Sequence, residues 1–162
     1  MLSLRRPSRL VVAFGAGTAL LAGLAGCTNA VSMTAAPSAN AAACAAVQVR
    51  LPDTVDTKFG MRATNAQSTA AWGTPSAVLL HCGVAVPTVS DLPCFSKGSV
   101  DWIRDASTPD RITYTTFGRT PAVQVTIDSS KATDQVLQDV EDAVSTLPKD
   151  GKRCLDPSEV RN

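Results

Sequence analysis

The chain has 162 residues with 15 basic and 14 acidic side chains, one histidine and five cysteines. A near-neutral charge lacks the basic footprint of nucleic-acid binders. A single histidine and the lack of any Cys-x-x-Cys spacing argue against a zinc set, a thioredoxin-like redox pair or haem attachment, so no metal and no cofactor is expected.

Arg5, Arg6 and Arg9 precede an apolar run over 10–24, which is about 15 residues and falls short of the ~20 needed to span a bilayer. The run ends in Leu24-Ala25-Gly26-Cys27. A basic start, a short apolar segment and small residues at its end form a secretory signal peptide over 1–26. A cysteine directly after Leu-Ala-Gly looks like a lipobox, in which the thiol receives a diacylglycerol before the signal is removed. Cys27 is therefore the expected lipidation site, and the expected location is the extracytoplasmic face of the cell membrane. Arg5-Arg6 is followed by Pro7-Ser8 rather than an apolar pair, which disfavours twin-arginine export. Loss of the three signal arginines leaves 12 basic against 14 acidic groups, a net of −2. With no polybasic patch, membrane attachment would come from the lipid on Cys27.

Residues 27–43, rich in Thr, Asn, Ser, Pro and Ala, read as the lipidated cysteine and a flexible tether. Asn40 is a candidate cap for a short helix carrying Cys44, Val47 and Leu51 on one face, ended by Pro52. Residues 52–71 read as a long polar loop, followed by the turn Trp72-Gly73-Thr74-Pro75. The apolar run 77–81 suits a central strand covered on both faces. Gly83, Pro87 and Pro93 then break the chain, and 95–103 reads as a hairpin turning at Lys97-Gly98.

The clearest local pattern follows. Ile112, Tyr114 and Thr116 alternate with Thr113 and Thr115, and Val123, Val125 and Ile127 alternate with Gln124 and Thr126. The turn Gly118-Arg119-Thr120-Pro121 between them predicts an antiparallel pair. Val136, Leu137, Val140, Ala143, Val144 and Leu147 form a helical stripe within 131–147, with Lys149, Lys152 and Arg153 after its end, where they suit the helix dipole. The expected fold is α+β: one small domain over 44–155, with an antiparallel sheet of four to five strands. A short N-terminal and a longer C-terminal helix pack on it, and residues 156–162 form a tail.

If Cys27 carries lipid, Cys44, Cys82, Cys94 and Cys154 remain for two disulfides in an exported domain. Three pairings are possible. Cys82–Cys94, closing a short loop, and Cys44–Cys154, clamping the domain ends, are the favoured choice.

Catalytic parts are sparse. His81 ends an apolar strand beside a cysteine, a structural position, and no Gly-x-Ser-x-Gly elbow or Gly-rich phosphate loop is present. Asp53 with Asp56, and Asp101 with Asp105, are carboxylate pairs available to a glycosidase-like site. The two glutamates, Glu141 and Glu159, lie near the C-terminus. Arg119 at a turn tip, Arg62 in the long loop, and Trp72 and Trp102 are candidate ligand or partner contacts.

The mature domain resembles a family of bacterial lipoproteins, domain-of-unknown-function family 3515, typical of high-GC Gram-positive bacteria. The matching motifs are Cys44-Ala45-Ala46, Leu51-Pro52, Ala71-Trp72-Gly73-Thr74-Pro75, His81-Cys82-Gly83-Val84 with Pro87, and Val100-Asp101-Trp102. They continue with the run from Tyr114 through Gly118-Arg119-Thr120-Pro121 to Val123, and with Arg153-Cys154-Leu155. An arginine is common in the family where this chain has His81. The resemblance implies the anchor, the domain limits and four structural cysteines; it implies no reaction. The expected function is thus a non-catalytic binding or structural module of the cell envelope, with an envelope protein or cell-wall component as partner and no nucleic acid. The alternative is an envelope hydrolase using carboxylates or a serine in an atypical arrangement.

Overall fold

The computed structural model describes residues 29–88 and 90–155. Cys27, Glu159, the signal segment and the tail over 156–162 lie outside the described residues. In chain order the elements are α1 (Ala42–Gln48), β1 (Thr54–Val55), β2 (Phe59–Arg62), β3 (Thr69–Trp72), β4 (Val78–Val84), β5 (Cys94–Lys97), β6 (Val100–Thr108), β7 (Arg111–Phe117), β8 (Ala122–Asp128), α2 (Gln135–Asp139) and α3 (Glu141–Val144).

The strands form one eight-stranded sheet in the order β1-β2-β3-β4-β8-β7-β6-β5, with every neighbouring pair antiparallel. This corrects the expected four to five strands. The extra strands come from residues 52–71, read as a loop: β1, β2 and β3 are only two to four residues each, too short for an alternation to stand out. The sheet is two meanders. The first ends at β4, the chain crosses to the far edge, and the second returns from β5 to seat β8 against β4.

The period-two segments behave as their pattern requires. Tyr114 pairs with Val125 and Ile112 with Ile127. Tyr114, Thr116, Val123, Val125 and Ile127 point into the core, joined from β4 by Val78, Leu80 and Cys82. The opposite face, with Leu79, His81, Thr113, Thr115, Gln124 and Thr126, is half-buried. β4 is central, then, but fully covered on one face only.

All three helices contribute to the core, making a two-layer sandwich. α1 contributes Cys44 and Val47; Ala41 rather than Asn40 occupies its N-cap, and no side chain caps it. The longer C-terminal helix divides into α2 and α3, of five and four residues, around Val140. The amide N–H of Val140 still donates to the Val136 carbonyl and that of Val144 to Val140, so the apolar stripe keeps its register across the division. Val136, Leu137, Val140, Ala143, Val144 and Leu147 are all buried. Among the described residues, the core cluster runs from Cys44 to Leu147.

The disulfides are Cys44–Cys82 and Cys94–Cys154, which corrects the expected pairing. Cys82 points to the core face of β4, where α1 lies over it and brings Cys44 within 5.6 Å, Cα to Cα. Cys94 opens the edge strand β5 opposite Ile103, and the segment after α3 returns Cys154 to within 5.5 Å of it. The thiols of Cys82 and Cys94 belong to separate meanders, so the short-loop choice fails.

The span expected as a flexible tether is also bonded to the body. Val31 donates to Ala63 O and Ser38 to Gly83 O, while Ser68 Oγ donates to Ala39 O. Gly83 (φ +95°) permits this contact: a Cβ there would sit 2.3 Å from the Ser38 carbonyl carbon.

Candidate functional site

The β7–β8 turn and the segment after α3 build a charged concavity. β7 ends at Phe117, and Gly118 follows with φ +72°, a left-handed conformation natural to glycine. A Cβ on Gly118 would lie 2.0 Å from Lys152 O, so only a residue without one allows the 149–152 segment to lie so close. That segment is held by Asp150 N–H to Gly118 O, Thr120 N–H to Pro148 O, and a bridge between Arg119 and Lys149.

Arg119 was expected at an exposed turn tip; it is 3% exposed. Its guanidinium donates through Nη1 to Ser145 O and Leu147 O, each at 2.8 Å, and through Nη2 to Ser99 O at 2.9 Å. The planar fork thus satisfies carbonyls left open past the C-terminus of α3 and ties them to the β5–β6 turn. Lys149, Lys152 and Arg153, expected to complement that helix end, line a cleft beside it instead. None of the three acceptors is anionic. Desolvation lowers the Arg119 pKa, and the nearby Asp101 partly offsets it.

Asp101 lies on β6 opposite Phe117. It accepts from Ser96 Oγ at 2.6 Å and from the Cys154 amide at 2.8 Å, fixing the chain beside the second disulfide. Glu141 on α3 performs a similar task, accepting the Ser99 amide at 2.6 Å; that bond is the main cause holding its carboxyl below the ordinary value. One signal for Glu141 is its rarity: the chain has only two glutamates, so one placed beside the helix stripe invites a specific role.

Other candidates are drawn into the framework. Trp72 is fully buried, its indole N–H donating to Pro52 O at 3.0 Å, and Trp102 is fully buried too. Trp72 shares a row with Val78, Ile127 and Ile112, at the end of β7 where that strand begins, whereas Arg119 lies past the other end. Arg119 and Trp72, both candidate contacts, are therefore not brought into one site. Arg62 donates to Gly73 O and Asn29 O. His81 is half-buried; burial lowers its pKa, and its Nδ1 finds no partner among the described residues.

The carboxylate pairs do not converge. Asp56 is buried and accepts from the Thr133 amide and hydroxyl, linking the β1–β2 turn to the start of α2. Asp53 is exposed. Asp101 and Asp105 are four residues apart on β6, about 13 Å along a strand, beyond the roughly 5–9.5 Å of glycosidase carboxylates. Asp105 accepts the amide of Ser107, two residues on in the same strand. Among the described residues no three His, Cys, Asp or Glu side chains could hold a metal ion, and no helix is long and apolar enough to cross a membrane.

Fold and site together define a disulfide-stapled two-layer sandwich, an open antiparallel sheet with helices on one face, whose buried polar groups brace its turns. The model of a family described as "Protein of unknown function (DUF3515)" matches residues 7–151, and the chain belongs to that family. No curated protein and no solved structure matches the chain.

Proposed function

We propose that this protein is a lipoprotein anchored through Cys27 on the extracytoplasmic face of the cell membrane, its domain a non-catalytic binding or structural module of the envelope. The observation that carries the reading is how the five cysteines divide. Four are consumed in two disulfides, suited to an oxidising compartment. The fifth, Cys27, follows Leu24-Ala25-Gly26 at the end of an export signal.

The non-catalytic part is supported by the employment of the polar side chains. Arg119, Asp56, Asp101 and Glu141 each bond backbone groups across elements. Such groups are engaged in holding the fold rather than poised to exchange protons with a substrate. The test is metabolic labelling with a palmitate analogue followed by membrane fractionation. The native chain is expected to take the label and sediment with membranes, while Cys27→Ser leaves unlabelled, unprocessed precursor. Normal processing of Cys27→Ser would overturn the anchor.

A further inference from the structure

Two clefts adjoin at the end of β7, the first beside the segment after α3. The first, about 190 Å³, is walled by Arg119, Lys149, Lys152 and Arg153 together with Asp101. With Asp150 bonded to Lys152 at 3.0 Å, Arg119, Lys149 and Lys152 stand against Asp101 and Asp150 among the described residues. Lys149 makes no ion pair with the described residues, and Arg119 is buried with only neutral acceptors within bonding distance. The guanidinium is hydrogen-bonded by carbonyls alone and Asp101 offsets its charge only in part, which, with Lys149 alongside, favours an anion in the cleft.

The second cleft, about 410 Å³, shares Phe117 and Arg153 with the first. Its apolar lining includes Leu92, Ile103 and Leu155 over the Cys94–Cys154 disulfide. Leu92 and Leu155 are 43% and 56% exposed, two of the four large hydrophobics that stand out among the described residues. Leu92 and Leu155 give this concavity an apolar wall next to the charged one. The second cleft alone, about 410 Å³, falls within the range of small-molecule sites.

We propose that this composite groove binds a single-chain amphiphile with an anionic head, the head between Arg119 and Lys149 and the chain running past Phe117 toward Leu92 and Leu155. The charge of the first cleft selects the head, and the apolar wall of the second selects the tail. The proposal deepens the binding-module reading and rests on it, but binding in solution does not depend on the Cys27 anchor, so either can fail without the other.

The test is an NMR titration of residues 29–162 with decyl phosphate below its micelle concentration, beside decanol and inorganic phosphate. Decyl phosphate is expected to saturate with shifts centred on Phe117, Arg119 and Leu155. Losing charge-assisted bonds or the tail should each cost about tenfold or more, so decanol and inorganic phosphate should both bind at least tenfold more weakly. Lys149→Gln with Lys152→Gln should weaken decyl phosphate by a similar factor and leave decanol and the melting temperature unchanged. Both lysines are exposed, so the variant leaves the core intact. Equal binding of decanol, equal binding of inorganic phosphate, shifts centred elsewhere, or no saturable binding would each overturn the proposal.

Discussion

Replacing Arg119 with alanine separates a buried brace from a solvated turn residue. The change removes three hydrogen bonds, to Ser99 O, Ser145 O and Leu147 O, from a guanidinium 3% exposed. With a charged donor and partly buried acceptors, each contributes about 1–1.5 kcal/mol, for a total loss of about 3–4.5 kcal/mol. A body of this size loses roughly 3–4 °C of melting temperature per kcal/mol, so Arg119→Ala should melt about 9–18 °C lower by calorimetry. Arg119→Lys keeps the charge but not the planar fork that reaches three acceptors, and should recover less than half of the loss. An exposed turn arginine would cost under about 0.5 kcal/mol. Melting of Arg119→Ala within about 2 °C of the native protein would therefore refute the bracing role.

Gly118→Ala should destabilise by more than about 2 kcal/mol in urea, because it combines a positive φ with a backbone clash at 2.0 Å. Gly60→Ala, where a Cβ meets nothing within 4 Å, should stay within about 0.5 kcal/mol and serves as the control. The pH dependence has two stages. Burial depresses His81 in the folded state, so protonation is easier in the unfolded chain and stability falls as pH drops below about 6.5. The carboxyls of Asp105, Asp150, Glu141 and Asp128, the last held down to about 2 chiefly by Lys131, contribute stability that is lost only below about pH 4.5. His81→Gln should flatten the melting temperature between pH 6.5 and 5 while leaving the later acid transition. An unchanged slope would remove His81 from the account. Opening either disulfide as a paired Cys→Ser variant should cost on the order of 2–4 kcal/mol, since the bridges span 38 and 60 residues. Denaturant midpoints matching the native protein would contradict that.

The β7–β8 pair was legible because seven-residue strands with one buried face repeat their alternation several times. The stripe from Val136 to Leu147 was legible for the same reason at the helical period, even though the helix divides at Val140. β1 to β3 were hidden because β3 is buried at all four positions and β1 and β2 are short, leaving no alternation to read. The disulfide pairing was hidden in the topology. Which cysteines meet depends on the crossing from β4 to the far edge, a long-range choice with no local signal. Arg119 is legible as a residue but not as a buried position, because a glycine-flanked turn reads as exposed until the segment after α3 folds over it. The cationic cleft went unread for that reason as well: Lys149, Lys152 and Arg153 looked like dipole partners of their own helix.

The five cysteines test the account most directly. A non-reducing peptide map of the protein extracted from membranes assigns all of them in one measurement. The account predicts cross-linked peptides joining Cys44 to Cys82 and Cys94 to Cys154, with Cys27 recovered as a lipid-modified N-terminal residue. A disulfide involving Cys27, a different pairing of the other four, or Cys27 within an uncleaved, unmodified peptide would contradict it.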